Sequence, residues 1–139
     1  MDFVGCKAAF FCGADILTYL RDDKPGLPMA GLRDLPGGGH EGDERPEDCL
    51  LREMEEEFGL RLPPARLIWR RVFPSMPDAA RSSVFFGGRL AMAEVRAIRF
   101  GEEGQRWAML PVAAFLAHSA AIPEMRRRAG IAWGEIGVS

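Results

Sequence analysis

Between Leu35 and Leu60 the chain reads LPGGGHEGDERPEDCLLREMEEEFGL, and this stretch constrains the fold more than any other. A glycine-rich loop, Gly37-Gly38-Gly39, leads into an acidic turn. A short helix follows, with Pro46 suited to its first turn, Glu47 and Asp48 suited to its N-terminus, and Gly59 as its stop. At 3.6 residues per turn, Leu50, Leu51 and Phe58 fall within about 60° of Met54, which makes a buried stripe. Glu53, Glu56 and Glu57 share a neighbouring arc of roughly 100°. Glu55 lies on the far side of the stripe. Arg52 stands at i,i+4 to Glu56 and can hold that carboxylate.

Carboxylates crowded on one arc repel each other unless a cation sits between them. A divalent ion such as Mg²⁺ answers this best, because it takes oxygen ligands and bridges carboxylates to substrate phosphates. The competing reading is a solvated acidic face, as most charge runs are. The glycine loop, the arginine at a defined offset and the glycine stop argue for the metal.

The stretch resembles the Nudix box, G-x5-E-x7-R-E-U-x-E-E-x-G-U, where U is aliphatic. Gly38, Glu44, Arg52, Glu53, Met54, Glu56, Glu57, Gly59 and Leu60 fill the pattern, with Met54 apolar but unbranched. Asp43 departs from it, since the family usually has Gly before the first Glu; if positive φ is required there, Asp tolerates it better than most residues. The resemblance implies an α/β/α sandwich around a mixed sheet. It also implies a metal-dependent pyrophosphohydrolase acting on a nucleoside diphosphate linked to a group X, with Mg²⁺, or alternatively Mn²⁺, as cofactor. Glu53, Glu56 and Glu57 would ligate the metal, assisted by a carbonyl of Gly37 or Gly38. Arg52 and Glu44 would support them, and Gly37, Gly38 and Gly39 would let the backbone approach a phosphate.

Further on, Gly101 to Leu110 (GEEGQRWAML) is similar to the Glu-Gly-Gln segment before the last helix of MutT-type members, whose Glu is a further metal ligand. That maps onto Glu103, so Glu53 and Glu103 are both candidates for the base toward water. Segment 118–123 lacks the Asn with which MutT-like enzymes read oxidised guanine, which speaks against 8-oxoguanine specificity. A nucleoside triphosphate split into monophosphate and pyrophosphate is the expected reaction. The alternatives are a nucleotide sugar of the ADP-ribose kind, or a nucleotide-binding module that does not hydrolyse.

The rest of the chain reads as one domain, 1–139, by size. Val4 to Tyr19 is a hairpin broken at Gly13-Ala14-Asp15, and Arg21 to Arg33 is a loop. Leu67 to Phe73 is a strand, as are Ser83 to Met92 and Glu94 to Phe100, joined by a tight turn. Trp107 to Leu110 is another; helices follow at Pro111 to His118 and Pro123 to Arg128. Strands interleaved with helices give an α/β mixed sheet with helices on both faces.

A formal net charge of -2 argues against a nucleic-acid polymer as partner, but not against a small nucleotide. Three cysteines without C-x-x-C spacing fit no disulfide framework and suit a reducing cytoplasm. The N-terminus does not read as a signal peptide, and no apolar run is long enough to span a membrane. A monomer or homodimer is expected. Gly37 to Gly42 also fits G-x-G-x-x-G, but no strand precedes it in this reading, so the dinucleotide motif is set aside. His40 and His118 lack zinc spacing, and His40 reads as a surface histidine. Arg126 to Arg128 reads as a solvated helix face, and Trp69, Trp107 and Trp133 as core.

Overall fold

The computed structural model describes residues 1–137. β1 (Gly5–Cys12) and β2 (Asp15–Leu20) form the expected hairpin, pairing Phe11 with Ile16 and Cys12 with Asp15. Beyond those pairs the two strands splay. β3 (Arg33–Asp34) takes the freed edge of β2, and β4 (Gly37–Gly39) takes the freed edge of β1. On its other edge β1 runs parallel to β6 (Ser82–Arg89), which pairs antiparallel with β5 (Leu67–Pro74). β7 (Arg106–Pro111) closes the far edge against β2. The result is a seven-stranded mixed sheet.

β1 is central, and its side chains alternate with the strand period of two. Ala8 and Phe10 enter one core with Leu50, Met54 and Phe58 of α1 (Pro46–Phe58). Ala9 and Phe11 enter the other, where α3 (Val112–Leu116) supplies Phe115 and α4 (Pro123–Ile136) supplies Met125 and Ala129. β6 repeats the pattern, with Val84 and Phe86 toward α1 and Phe85 toward α4. Both faces are covered, so the α/β/α sandwich holds. Among the described residues, no helix is long and apolar enough to cross a membrane.

Several expectations need correction. Gly37-Gly38-Gly39 is a short strand, paired to Gly5–Lys7, not a loop. The run expected as strand to Met92 ends at Arg89. Most of the strand expected over Glu94 to Phe100 is α2 (Met92–Arg96) and the turn after it. Glu94 decides this, because its carboxylate accepts from the Ala91 N–H at 2.8 Å, a helix-capping contact, and also pairs with Arg66. α4 runs well past Arg128, to Ile136. Arg128 is buried at 2% exposure rather than solvated, because Glu124, Ser83 and the Pro74 carbonyl satisfy its guanidinium. His40 stacks on Phe3 at 4.2 Å between ring centroids and is half-buried, so it is no free surface group. Trp69 and Trp133 are half-buried and lie against Phe85 and Phe11, as core residues would.

Candidate functional site

α1 starts and stops where the sequence signals lie. The Arg45 N–H donates to Asp48 at 3.2 Å, Pro46 opens the first turn, and Gly59 closes the helix at φ 66, donating to the Glu55 carbonyl at 3.0 Å. Cys49, Leu50, Met54 and Phe58 are fully buried, so the rotation of the helix is set by its apolar stripe. The acidic arc is thereby turned toward β4 and the loop after it. Glu53 and Glu57 sit at the boundary, at 9% and 8% exposure, while Glu56 is exposed. Glu55 points away and pairs with Arg61 at 2.8 Å.

Two glycines let β4 lie this close. A Cβ at Gly37 would fall 2.1 Å from the Cys6 carbonyl oxygen, and one at Gly38 would fall 2.5 Å from Glu53 Oε1. Gly39 alone faces open space, so room for an incoming phosphate exists there rather than along the whole triplet. The loop's left-handed residue is Gly42, at φ 56; Asp43 does not have positive φ, so the position does not require it.

Arg52 joins the parts. Its Nε donates to Glu44 at 2.6 Å and its Nη2 to the Gly39 carbonyl at 2.9 Å. Nη1 lies 2.7 Å from Glu41, 2.9 Å from Glu53 and 3.1 Å from Glu56. The hydrogen bond from Arg52 holds the Glu44 carboxyl below its ordinary range. Nη1 carries two hydrogens for three carboxylates, so oxygen lone pairs remain for another cation. The ligand oxygens of Glu41, Glu53 and Glu56 lie within 4.8 Å of one another, an all-oxygen set that suits a hard divalent ion.

Burial raises the proton affinity of Glu53, with Arg52 opposing and Glu56 and Glu103 adding to it. Glu57 is pushed further, to about 8, by burial, although Lys7 and the Gly37 N–H that donates to it at 3.1 Å pull the other way. A cleft of about 470 Å³ opens over these groups, lined by Glu41, Glu53, Glu56, Glu57 and the Gly101–Glu103 loop. Glu102 and Glu103 both line it and both are exposed, so the expected distinction between them is not visible in position alone.

Glu53, Glu56, Glu57, Glu103, Arg52 and Glu44 are thus brought together, with Gly37 and Gly38 beneath them. Sequence reasoning missed Glu41, since a helical wheel says nothing of a residue in the turn before the helix; the acidic run HEGDE was the available signal. It also missed the meeting of Cys6 and Cys49 behind β4, where the sulfurs lie 3.2 Å apart as free thiols. The hydrogen bond between them, together with burial, pushes the Cys6 thiol far up.

The NUDIX domain family model matches residues 13–128 of the chain. An 8-oxo-dGTP diphosphatase of Proteus vulgaris is 38% identical over 58 residues, covering 42% of this chain and 51% of that protein. The chain therefore spans about half the length of that curated relative. Among solved structures, a MutT protein from Methanosarcina mazei Go1 superposes with a TM-score of 0.75 at 17% identity, over 98% of this chain and 96% of that one. A bifunctional NMN adenylyltransferase/ADP ribose pyrophosphatase from Francisella tularensis, complexed with AMP and an Mn ion, gives 0.72 at 18% identity, covering 99% of this chain and 42% of that one. The NUDIX domain of Shewanella oneidensis NrtR, complexed with ADP ribose, gives 0.68 at 20% identity, over 98% and 89%. At these identities the structural likeness speaks for the fold alone.

Proposed function

The chain belongs to the NUDIX domain family, and from that premise we propose that it is a divalent-metal-dependent pyrophosphohydrolase acting on a nucleoside diphosphate linked to a group X. A nucleoside triphosphate, split into monophosphate and pyrophosphate, is the favoured substrate. The observation that carries this reading is the convergence of Glu41, Glu53 and Glu56 around Arg52, with Glu57 beside them, in one open cleft.

Glu41, Glu53, Glu56 and Glu57 would hold the ion, with Glu103 reaching in from its loop. When bound, Mg²⁺ or Mn²⁺ supplies positive charge that orients the phosphates and neutralises the leaving group. The chain's own groups do the rest. Glu53 accepts the proton of the attacking water as its oxygen bonds to phosphorus and the bridging P–O bond breaks. Burial suits it to this, because a base works best when its proton affinity approaches the working pH. Arg52 keeps the Glu53 carboxylate in place and returns the Gly39 carbonyl toward the helix. Gly39, with open space where a Cβ would stand, lets the phosphate chain come close to backbone.

A nucleotide-sugar substrate is the second reading, supported by the likeness to domains described with ADP ribose. One experiment tests both: purified protein with nucleoside triphosphates or ADP-ribose, Mg²⁺ or chelator, and product identification. Metal-dependent release of nucleoside monophosphate and pyrophosphate from a triphosphate is the expected result. Primary release of inorganic phosphate and a diphosphate, or full turnover in excess chelator, would overturn it.

A further inference from the structure

Arg33 and Arg106 are cross-strand partners of the same residue, Leu20, one on each of its sides. Residues directly opposite each other in antiparallel strands project from one face, and Thr18, two residues before Leu20, projects with them. That is the face on which Ile16 meets α3 and α4, turned away from α1. Neither arginine lines the acidic cleft.

Arg33 is 9% exposed. Its main chain is fastened to the turn between α3 and α4: the N–H donates to the Ala120 carbonyl at 2.8 Å, and the carbonyl accepts from the Ile122 N–H at 3.0 Å. The guanidinium, by contrast, has one protein acceptor among the described residues, Thr18 Oγ1, to which Nη1 donates at 3.1 Å. That hydroxyl is neutral and gives its own hydrogen to the Ala108 carbonyl at 2.8 Å. Arg21, Arg127 and Arg128 each pair with a carboxylate; among the described residues, none lies within ion-pair distance of Arg33 or Arg106. Burial lowers the proton affinity of Arg33, and Arg106 adds to the effect. A buried cation left unpaired is destabilising, and a second cation beside it makes it more so. An anion seated between them would relieve both.

We propose that Arg33 and Arg106 form an oxyanion site on this face, separate from the acidic cleft, and that the group it takes is a phosphate. The two side chains start from either side of Leu20, so the ligand needs acceptor oxygens on more than one side. A planar carboxylate fills one guanidinium fork. A tetrahedral phosphate can accept from two, and its second negative charge matches the second arginine. Arg106 is exposed, which leaves the site open to solvent on that side. Free inorganic phosphate and a phosphate ester present the same kind of oxygens.

Calorimetry on the whole chain, in chelator and at fixed ionic strength, tests this with inorganic phosphate and with glycerol phosphate. Chelator keeps metal from holding either probe at the carboxylates. Saturable binding of one or both is expected, and the tighter probe tells a free ion from a phosphorylated small molecule. Arg33→Met and Arg106→Gln should each weaken that binding about tenfold or more, the scale for losing hydrogen bonds to a charged group. Arg71→Gln is the control: Arg71 is also exposed and has no carboxylate partner among the described residues, but it lies on β5, beyond β1 and β6 at the sheet's edge. That variant should bind as wild type does. Because Arg106 is exposed, Arg106→Gln decides the matter even if Arg33→Met does not fold. No saturable binding of either probe, unchanged affinity in Arg106→Gln, or an equal loss in Arg71→Gln would each overturn the proposal.

Discussion

The carboxylate of Glu53 occupies the place where a side chain at Gly38 would begin, with Oε1 2.5 Å and Oε2 2.8 Å from a Cβ built there. Gly38 does not need positive φ, so alanine fits its backbone and only the end of the Glu53 side chain must yield. Gly38→Ala should therefore lower kcat about tenfold or more while shifting Tm by only a few degrees, as a near-surface change without core loss does. Gly37→Ala should behave oppositely: its Cβ meets the Cys6 carbonyl at 2.1 Å on a backbone with φ 136, so stability falls first. Thermal unfolding and turnover measured together separate the two. Wild-type turnover in Gly38→Ala would mean that Glu53 need not stay where it is.

Much of this site was legible because its residues are local in sequence. One helix period places Glu53, Glu56 and Glu57 on one arc, and Gly59 marks the end of that helix. The alternation of Ala8, Ala9, Phe10 and Phe11 carries both faces of the sheet within a single strand. What escaped depends on partners far along the chain. The segment from Glu94 reads as a strand until Arg66 and the Ala91 N–H claim its carboxylate. Arg128 reads as solvated until Ser83 and Pro74 surround it. The Gly37–Gly39 triplet reads as a loop because glycine is a poor strand former, and only the free edge of β1 makes it one.

Glu57 links metal, pH and stability. Its ordinary value is 4.5, and burial raises it to about 8 in the folded chain. A carboxyl raised on folding binds more protons folded than unfolded, so its contribution is full below 4.5 and is lost as pH rises toward 8. In chelator, Tm should fall across that window, and Glu57→Gln should flatten the fall. Because ligands must be deprotonated to bind metal, Mg²⁺ should raise Tm more at pH 8 than at pH 6. An unchanged slope in Glu57→Gln would assign the dependence to other groups.

Glu55 is the internal control for the helix. It is exposed and pairs with Arg61, while its neighbours face the cleft. Gln at Glu53, Glu56 or Glu57 should cost about 10²-fold in kcat, the scale for removing a catalytic electrostatic group. Glu55→Gln should cost little. Comparable losses at Glu55 would show that the acidic arc is not the working face.

Arg52→Lys tests whether a fork or merely a charge is needed. Nε, Nη1 and Nη2 reach Glu44, the carboxylate cluster and the Gly39 carbonyl separately, and one ammonium cannot span all three. The variant should lose kcat about tenfold or more and need more Mg²⁺ for half-activity, since Glu44 and Glu53 lose their common anchor. Turnover and metal titration at wild-type values would reduce Arg52 to a surface charge.

The last prediction concerns the carboxylates outside the helix: Glu41, Glu102 and Glu103. Helix side chains approach a metal from one side only, while Mg²⁺ requires near-octahedral oxygen ligation. Glu41 offers an oxygen within 4.8 Å of those of Glu53 and Glu56, arriving from the turn before the helix. Glu103 comes from the opposite loop and is near enough to raise the proton affinity of Glu53. Glu41→Gln and Glu103→Gln should each lower kcat and move the Mg²⁺ titration to higher concentration. Glu102→Gln should do neither. All three residues are exposed, so Tm in chelator should stay within a degree or so of wild type, surface changes being small. A full Mg²⁺ titration on the three variants decides it: a defect at Glu102 as large as at Glu103 would make that loop a diffuse negative field, and none at Glu41 would leave the ion to the helix and Glu103.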